Sequence, residues 1–345
     1  MPPAVLITGA SGLLGRAILA AFTRAGWAAT GAAFSRAAPP LISLDLRDTA
    51  AVEAALALHA PRVVVHSAAE RRPDVCEADP RAAEALNVDA VWALARACAR
   101  SGAAFIYIST DYLWDGTKAP YSEDDPLCPL NAYGAQKARG EFAARAAHPG
   151  AVCLRVPVLF GPTEDLGESA VTMFAAIVRD SGKPAKVDDW QQRVPTYTPD
   201  IVRLPAARAP RCHCGGRCSA SPSHPPSPPP PPPPHPHALQ ARTLVAMAAR
   251  LAEGGAPLAG VYHCSAPTKI TRWGLVQLFG ELLGLPVAHV ERLPGEPPGA
   301  RRPYDCALAT GRLEAAGLAC GHTPLREALR EVLHLRGGEG GKGEV

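Results

Sequence analysis

Tyr133 and Lys137 stand four residues apart in Tyr133-Gly134-Ala135-Gln136-Lys137. On a helix that spacing sets both side chains on one face. An ammonium beside a phenol favours the phenolate and lowers the tyrosine pKa. A tyrosine so tuned can protonate a carbonyl oxygen that is receiving a hydride. Ser109-Thr110 lies just ahead of it in the chain, and Thr110, or Ser109, is expected to hydrogen-bond the same oxygen. Asn87, in Leu86-Asn87-Val88-Asp89, is expected to hold a water or the lysine. Y-x-x-x-K alone is common by chance, so the reading depends on what else the chain supplies.

It supplies a hydride-carrier site. Thr8-Gly9-Ala10-Ser11-Gly12-Leu13-Leu14-Gly15 follows an apolar run and opens a helical one. In this G-x-x-G-x-x-G spacing Gly9 permits a tight turn, Gly12 lets a diphosphate approach the backbone, and Gly15 lets the helix lie close to the sheet. The helix N-terminus then turns free N–H groups and a positive dipole end toward the anion. The next strand ends in Phe34-Ser35-Arg36, where an NAD-preferring site would carry Asp or Glu. An Arg there suits a 2′-phosphate and points to NADP(H). Asp45-Leu46 ends the third strand, where the Asp can meet an adenine amino group. His66-Ser67-Ala68-Ala69 ends the fourth. His66 reads as a satisfied core histidine, and the small residues after it leave room for a cofactor.

These residues need a sheet to hold them. Strands are expected at Ala4–Thr8, Ala28–Phe34, Leu41–Leu44, Arg62–His66, Ala104–Ile108 and Ala151–Val156. Helices are expected between them at Leu13–Ala25, Thr49–His59, Pro80–Arg100 and Ala132–Ala147. That alternation predicts an α/β fold, a doubly wound parallel Rossmann sheet. Val63-Val64-Val65 is apolar without alternation, as a strand buried on both faces should be. Further elements after Val156 predict a smaller C-terminal α/β lobe for substrate or partner. The expected division is 1–160 for the dinucleotide domain, and 161–203 with 239–335 for the lobe, with some return of the latter to the Rossmann sheet. Between the two lobe segments the chain turns Pro-rich over 204–238, with an unbroken run from Pro228 to Pro234. Such a run forms neither ladder nor helix. It reads as a disordered loop insertion, or as an intron carried into the coding sequence. The Gly-rich tail 336–345 is also expected to be disordered.

Bulk properties narrow the class. Of 345 residues 47% are hydrophobic, enough for a sizeable core, and the formal net charge is only +3. That charge argues for neither nucleic acid nor an anionic membrane surface. No apolar run nears the ~20 residues of a membrane span. Met1-Pro2-Pro3 leads straight into the first strand without a leader, so the cytosol is the expected compartment. Cys76, Cys98, Cys128, Cys153, Cys264, Cys306 and Cys320 are scattered and read as small buried hydrophobes, not disulfides. Cys212, His213, Cys214 and Cys218 offer four donors without paired C-x-x-C spacing, and no metal is expected. Glu123-Asp124-Asp125 reads as a solvated turn. Arg301-Arg302-Pro303 is either a surface charge pair or a contact for a phosphate or a partner carboxylate.

Taken together, these motifs resemble the dTDP-4-dehydrorhamnose reductase family of extended short-chain dehydrogenase/reductases. The resemblance is carried by Ile108-Ser109-Thr110-Asp111-Tyr112-Leu113-Trp114-Asp115-Gly116 and Pro129-Leu130-Asn131-Ala132-Tyr133-Gly134. Within the family, three stretches resemble the branch of regulatory β subunits of methionine adenosyltransferase. They are His66–Asp74 with its Glu-Arg-Arg-Pro-Asp run, Glu168-Ser169-Ala170-Val171-Thr172, and Trp190–Thr196. The resemblance implies NADP contacts at Ser11, Gly12, Leu13, Leu14, Phe34, Ser35, Arg36, Asp45, Leu46, Ser67, Arg71, Tyr133 and Leu159. It implies a catalytic subunit of methionine adenosyltransferase as partner. The alternative is an active NADPH-dependent reductase of a nucleotide-linked 4-keto sugar, acting through Thr110, Tyr133, Lys137 and Asn87. Thr110, the reductase's residue where the β subunits carry Ser, favours that alternative, as does a Gly-rich end where they carry an aromatic, basic tail.

Overall fold

The computed structural model describes residues 1–163, 165–202, 243–254 and 258–337. The Pro-rich stretch 204–238, with Cys212, His213, Cys214 and Cys218, lies outside the described residues, as does the tail from Gly338.

The chain runs β1 (Ala4–Thr8), α1 (Leu13–Arg24), β2 (Ala28–Ala33), β3 (Ile42–Ser43), α2 (Thr49–His59) and β4 (Val63–His66). It continues with α3 (Pro73–Ala78), α4 (Pro80–Glu84), a π-helical turn (Ala85–Asp89), α5 (Ala90–Ser101), β5 (Ala104–Thr110), α6 (Ala132–Ala147) and β6 (Val152–Val156). The remaining half holds β7 (Leu159–Phe160), a 3-10 turn (Leu166–Glu168), α7 (Met173–Arg179), β8 (Ala185–Asp188), β9 (Thr196–Tyr197) and α8 (Thr198–Val202). After the undescribed stretch come α9 (Thr243–Ala252), β10 (Gly260–His263), α10 (Arg272–Leu283), β11 (Val290–Leu293), α11 (Gly311–Ala315) and α12 (Leu325–Gly337).

The central sheet has seven strands in the order β10-β6-β5-β4-β1-β2-β3. Every pairing within it is parallel. This is the doubly wound order with one strand added at an edge. Helices cover both faces. Ile7, Val63 and Val65 pack with α1, α8 and α9 on one side, and Leu6, Val64 and Phe105 pack with α2 and α5 on the other. A separate cluster around Phe160, Phe174, Tyr197 and Phe279 forms the core of the smaller lobe. There β8 pairs with β11 and β7 with β9, both parallel.

Most expected boundaries fall within a residue or two of those observed. The expected helix Pro80–Arg100 is instead two helices joined by the π-helical turn that carries Asn87. Short lobe elements, β7, β8, β9, α7 and α8, carry too few residues for a periodicity to show. The cysteines depart from expectation. Cys264 and Cys320, read as separate thiols, are joined in a disulfide across a sequence separation of 56, and Cys128 is exposed. No sequence pattern signals that pairing, because it depends on the segment after β10 and the segment after α11 meeting in space.

One ionic pair is buried beneath the sheet's carboxyl edge. Arg155 on β6 meets Glu141 on α6 through two bonds of 2.8 and 2.7 Å, with side-chain exposures of 3% and 4%. Arg155 also lies 5.0 Å from the Trp114 ring centroid and donates to the Glu123 backbone oxygen. His263 completes the group: its Nδ1 lies 2.9 Å from Ala309 O and its Nε2 3.3 Å from the Arg155 guanidinium. Glu123 itself is buried, so the expected solvated turn is only partly wet: Asp124, which pairs with Arg312, is exposed and Asp125 half-buried.

The close seat of α1 gives a stability test. A Cβ on Gly15 would fall 2.1 Å from the Gly9 carbonyl oxygen, whereas one on Gly311 meets nothing within 4 Å. Gly15→Ala is expected to cost about 1–3 kcal/mol in chemical denaturation. Gly311→Ala is expected to be neutral or to stabilise by up to ~1 kcal/mol. Equal effects at the two positions would contradict this packing.

Candidate functional site

A cleft of about 950 Å³ opens at the carboxyl ends of β1, β2, β4 and β5, between the sheet and the lobe. Its floor is the β1–α1 turn. Gly9 holds a φ of +70°, and a Cβ there would lie 2.7 Å from the Ala68 backbone nitrogen. Glycine is therefore required for the turn to nest against the end of β4. Gly12 stands at the N-cap of helix α1 and offers no side-chain cap, so the helix's first N–H groups face the cleft.

Nearly every residue singled out by the sequence comes together here. Gly9, Ser11, Gly12, Leu13, Leu14 and Gly15 line the cleft. So do Phe34, Ser35, Arg36, Asp45, Leu46, Ser67, Arg71, Leu159, Thr110, Tyr133 and Lys137. Asn87 does not line it. Its Oδ1 accepts from Glu70 N at 3.0 Å, and its Nδ2 donates to Glu70 O and to Gln136 Oε1, each at 3.0 Å. Lys137 is not among these partners; Asn87 instead clamps the Glu70 backbone from both sides. The π-helical turn presents Asn87 to that loop. Asn87 positions the Glu70–Asp74 stretch along one wall.

The relation between Tyr133 and Lys137 also differs from expectation. Both stand on α6, Lys137 buried and Tyr133 half-buried, but Lys137 Nζ donates to Ile108 O at 2.7 Å and sits 3.9 Å from the Tyr107 ring centroid. Burial pushes the ammonium down to about 7. Burial likewise raises the Tyr133 phenol above its ordinary value, and a hydrogen bond with Thr110 opposes that rise. Lys137 is therefore not the group that tunes Tyr133 here; desolvation dominates both. Thr110 is held in turn by Asp111 at 3.2 Å, whose carboxyl burial lifts to about 6 against the pull of Arg193. His66 is neutral, driven to about 3 by burial and then by Lys137. Its Nδ1 meets Thr8 Oγ1 at 2.7 Å, while its Nε2 has no partner, so the core reading holds for one nitrogen only.

Several contacts escaped the sequence reading. Arg193 is buried against Tyr112, 3.2 Å from its hydroxyl. Arg302 crosses from the lobe to Asp74 at 2.8 Å, and the Ala300 N–H donates to the same carboxylate at 2.9 Å. Arg302 is thus an inter-segment tie, whereas Arg301 stays exposed. Asp45 pairs with its neighbour Arg47 at 2.7 Å. Glu168 gathers Arg16, Arg36 and Arg71 around it. No helix among the described residues is long and apolar enough to cross a membrane.

Fold and cleft together define an extended Rossmann protein of the short-chain reductase type. The model of the RmlD substrate-binding domain matches residues 3–215, and the chain belongs to that family. It is 38% identical over 329 residues to methionine adenosyltransferase 2 subunit beta of Xenopus tropicalis, covering 95% of this chain and 86% of that one. Among solved structures it is similar to a dTDP-4-dehydrorhamnose reductase from Clostridium acetobutylicum, at a TM-score of 0.73 and 24% identity, covering 97% and 99% of the two chains. It is also similar to a dTDP-4-dehydrorhamnose reductase from Bacillus anthracis solved with NADP, at 0.72 and 21%, again covering 97% and 99%. At those identities the two structures speak for the fold.

The buried ammonium carries a signed pH dependence. Its folded pKa, about 7, lies below the ordinary lysine value of 10.5. Below pH 7 both states hold the proton and the burial cost is fully present. As pH rises through 7 the folded state releases the proton first, so stability rises with pH. Lys137→Met is expected to abolish that rise, so the melting temperatures of wild type and variant should converge between pH 7 and pH 9. Parallel melting curves across that range would mean that Lys137 is not titrating there.

Proposed function

We propose that the chain is an NADP(H)-binding regulatory subunit of methionine adenosyltransferase, acting in the cytosol on S-adenosylmethionine synthesis. The observation that carries the reading is its similarity to curated β subunits along nearly the whole chain. That similarity includes the Glu70–Asp74 stretch which Asn87 and Arg302 fix along the cleft. The cleft suits the cofactor. The glycine turn and the uncapped start of α1 would receive the diphosphate. Arg36 would face the 2′-phosphate, with Phe34, Ser35, Asp45 and Leu46 around the adenosine. Ser67, Arg71, Tyr133, Lys137 and Leu159 would line the rest.

A second reading is favoured by Thr110 and Tyr133 lining the same cleft, where they could share a carbonyl oxygen. Bound in the cleft, NADPH supplies a hydride. Tyr133 Oη would donate the proton and Thr110 would orient the carbonyl of a nucleotide-linked 4-keto sugar.

The two readings separate in one experiment. The full chain is mixed with the catalytic subunit of methionine adenosyltransferase and NADP⁺, run on gel filtration, and assayed for S-adenosylmethionine formation across methionine concentrations. Co-elution with a changed methionine response is expected. Separate elution with unchanged kinetics would remove the regulatory reading, and NADPH oxidation with keto-sugar nucleotides would then test the reductase.

A further inference from the structure

Glu168 ends the short turn after Asp165 and reaches from the lobe to the rim of the cleft. Its carboxylate receives two bonds from Arg16, of 3.0 and 2.5 Å, and a third from Arg36 at 3.1 Å. Its backbone oxygen accepts from Arg71 at 2.7 Å. Arg16 also donates to Ser11 O at 2.7 Å, which ties the cluster to the glycine turn. Three guanidiniums from α1, the end of β2 and the loop after β4 thus converge on one residue.

The bonds differ in strength of hold. Arg16 grips both carboxylate oxygens, and its side chain is 25% exposed. Arg36 touches one oxygen and is 56% exposed. An exposed single contact of that kind is worth little and exchanges readily. A phosphate monoester carries about −1.5 to −2 charges and three strong acceptor oxygens, against one charge on a carboxylate. It therefore competes for Arg36, whereas a ribose hydroxyl does not.

We propose that Glu168 is a specificity-determining residue of the cleft, a built-in carboxylate that the 2′-phosphate of NADP(H) must displace from Arg36. The proposal rests on the cofactor reading above. Glu168 lowers affinity for the 2′-phosphorylated dinucleotide and leaves the unphosphorylated one almost untouched. Binding of NADP(H) therefore frees the Leu166–Glu168 turn from the end of β2, while Arg16 retains its hold.

The test is a fluorescence titration of NADPH and NADH into the full chain, as wild type, Glu168→Gln, Arg36→Ala and the double variant. Glu168→Gln is expected to tighten NADPH by about fivefold or more and to move NADH by less than about twofold. In the Arg36→Ala background the same substitution is expected to give no gain. Weaker NADPH binding, equal shifts for both nucleotides, or a gain that survives Arg36→Ala would overturn the proposal. If wild type binds NADPH and Glu168→Gln matches it, this proposal alone falls. If neither protein binds either nucleotide, the cofactor reading falls and takes the proposal with it.

Discussion

The β1–α1 turn packs so closely that side chains are excluded from it. A Cβ on Gly9 would strike the Ala68 backbone, and one on Gly15 would strike Gly9 itself. This contact fixes where α1 begins, and so where its first N–H groups point. It also draws the ends of β1 and β4 together at the point where the strand order reverses. In doubly wound sheets that reversal leaves a crevice at the carboxyl edge. Every residue of the cleft is placed relative to this turn: Arg36 from β2, Ser67 and Arg71 from the end of β4, Thr110 from β5, Tyr133 from α6.

Ion pairs and hydrogen bonds then join the two halves of the molecule. Asp74 with Arg302, Glu168 with Arg16 and Arg36, and Asn131 with the Arg301 backbone oxygen all cross from the Rossmann half to the lobe. Apolar packing crosses as well: Ile201, Leu244 and Leu313 pack with the sheet residues Ile7 and Val63, and Leu308 with Leu113, Trp114 and Tyr121, while the cluster around Phe160 and Phe279 forms a core of its own. Polar, partly exposed contacts of this kind hold a cleft in shape while letting its walls respond to an incoming anion.

Legibility followed sequence distance. The glycine turn, the strand run at Val63–Val65 and the Tyr133–Lys137 helix are local, and each reads directly from residue type and spacing. The roles of Glu168, Arg16 and Arg302 do not, because their partners lie 132, 152 and 228 positions away in the chain. The motif Glu168–Thr172 stood out only through a resemblance, with no role attached to its first residue. The same holds for Cys264 and Cys320. For Tyr133 and Lys137 the geometry was right and the electrostatics were not. Burial, which a sequence shows poorly, outweighs their mutual influence.

Hydrogen–deuterium exchange of the full chain with and without NADPH tests the central claim most directly, because it reports where a dinucleotide sits without requiring turnover. The account predicts protection concentrated in residues 8–15, 34–36 and 67–72, the turn and strand ends that line the cleft. Unchanged exchange in those three segments at saturating NADPH, or protection confined to another surface, would contradict it.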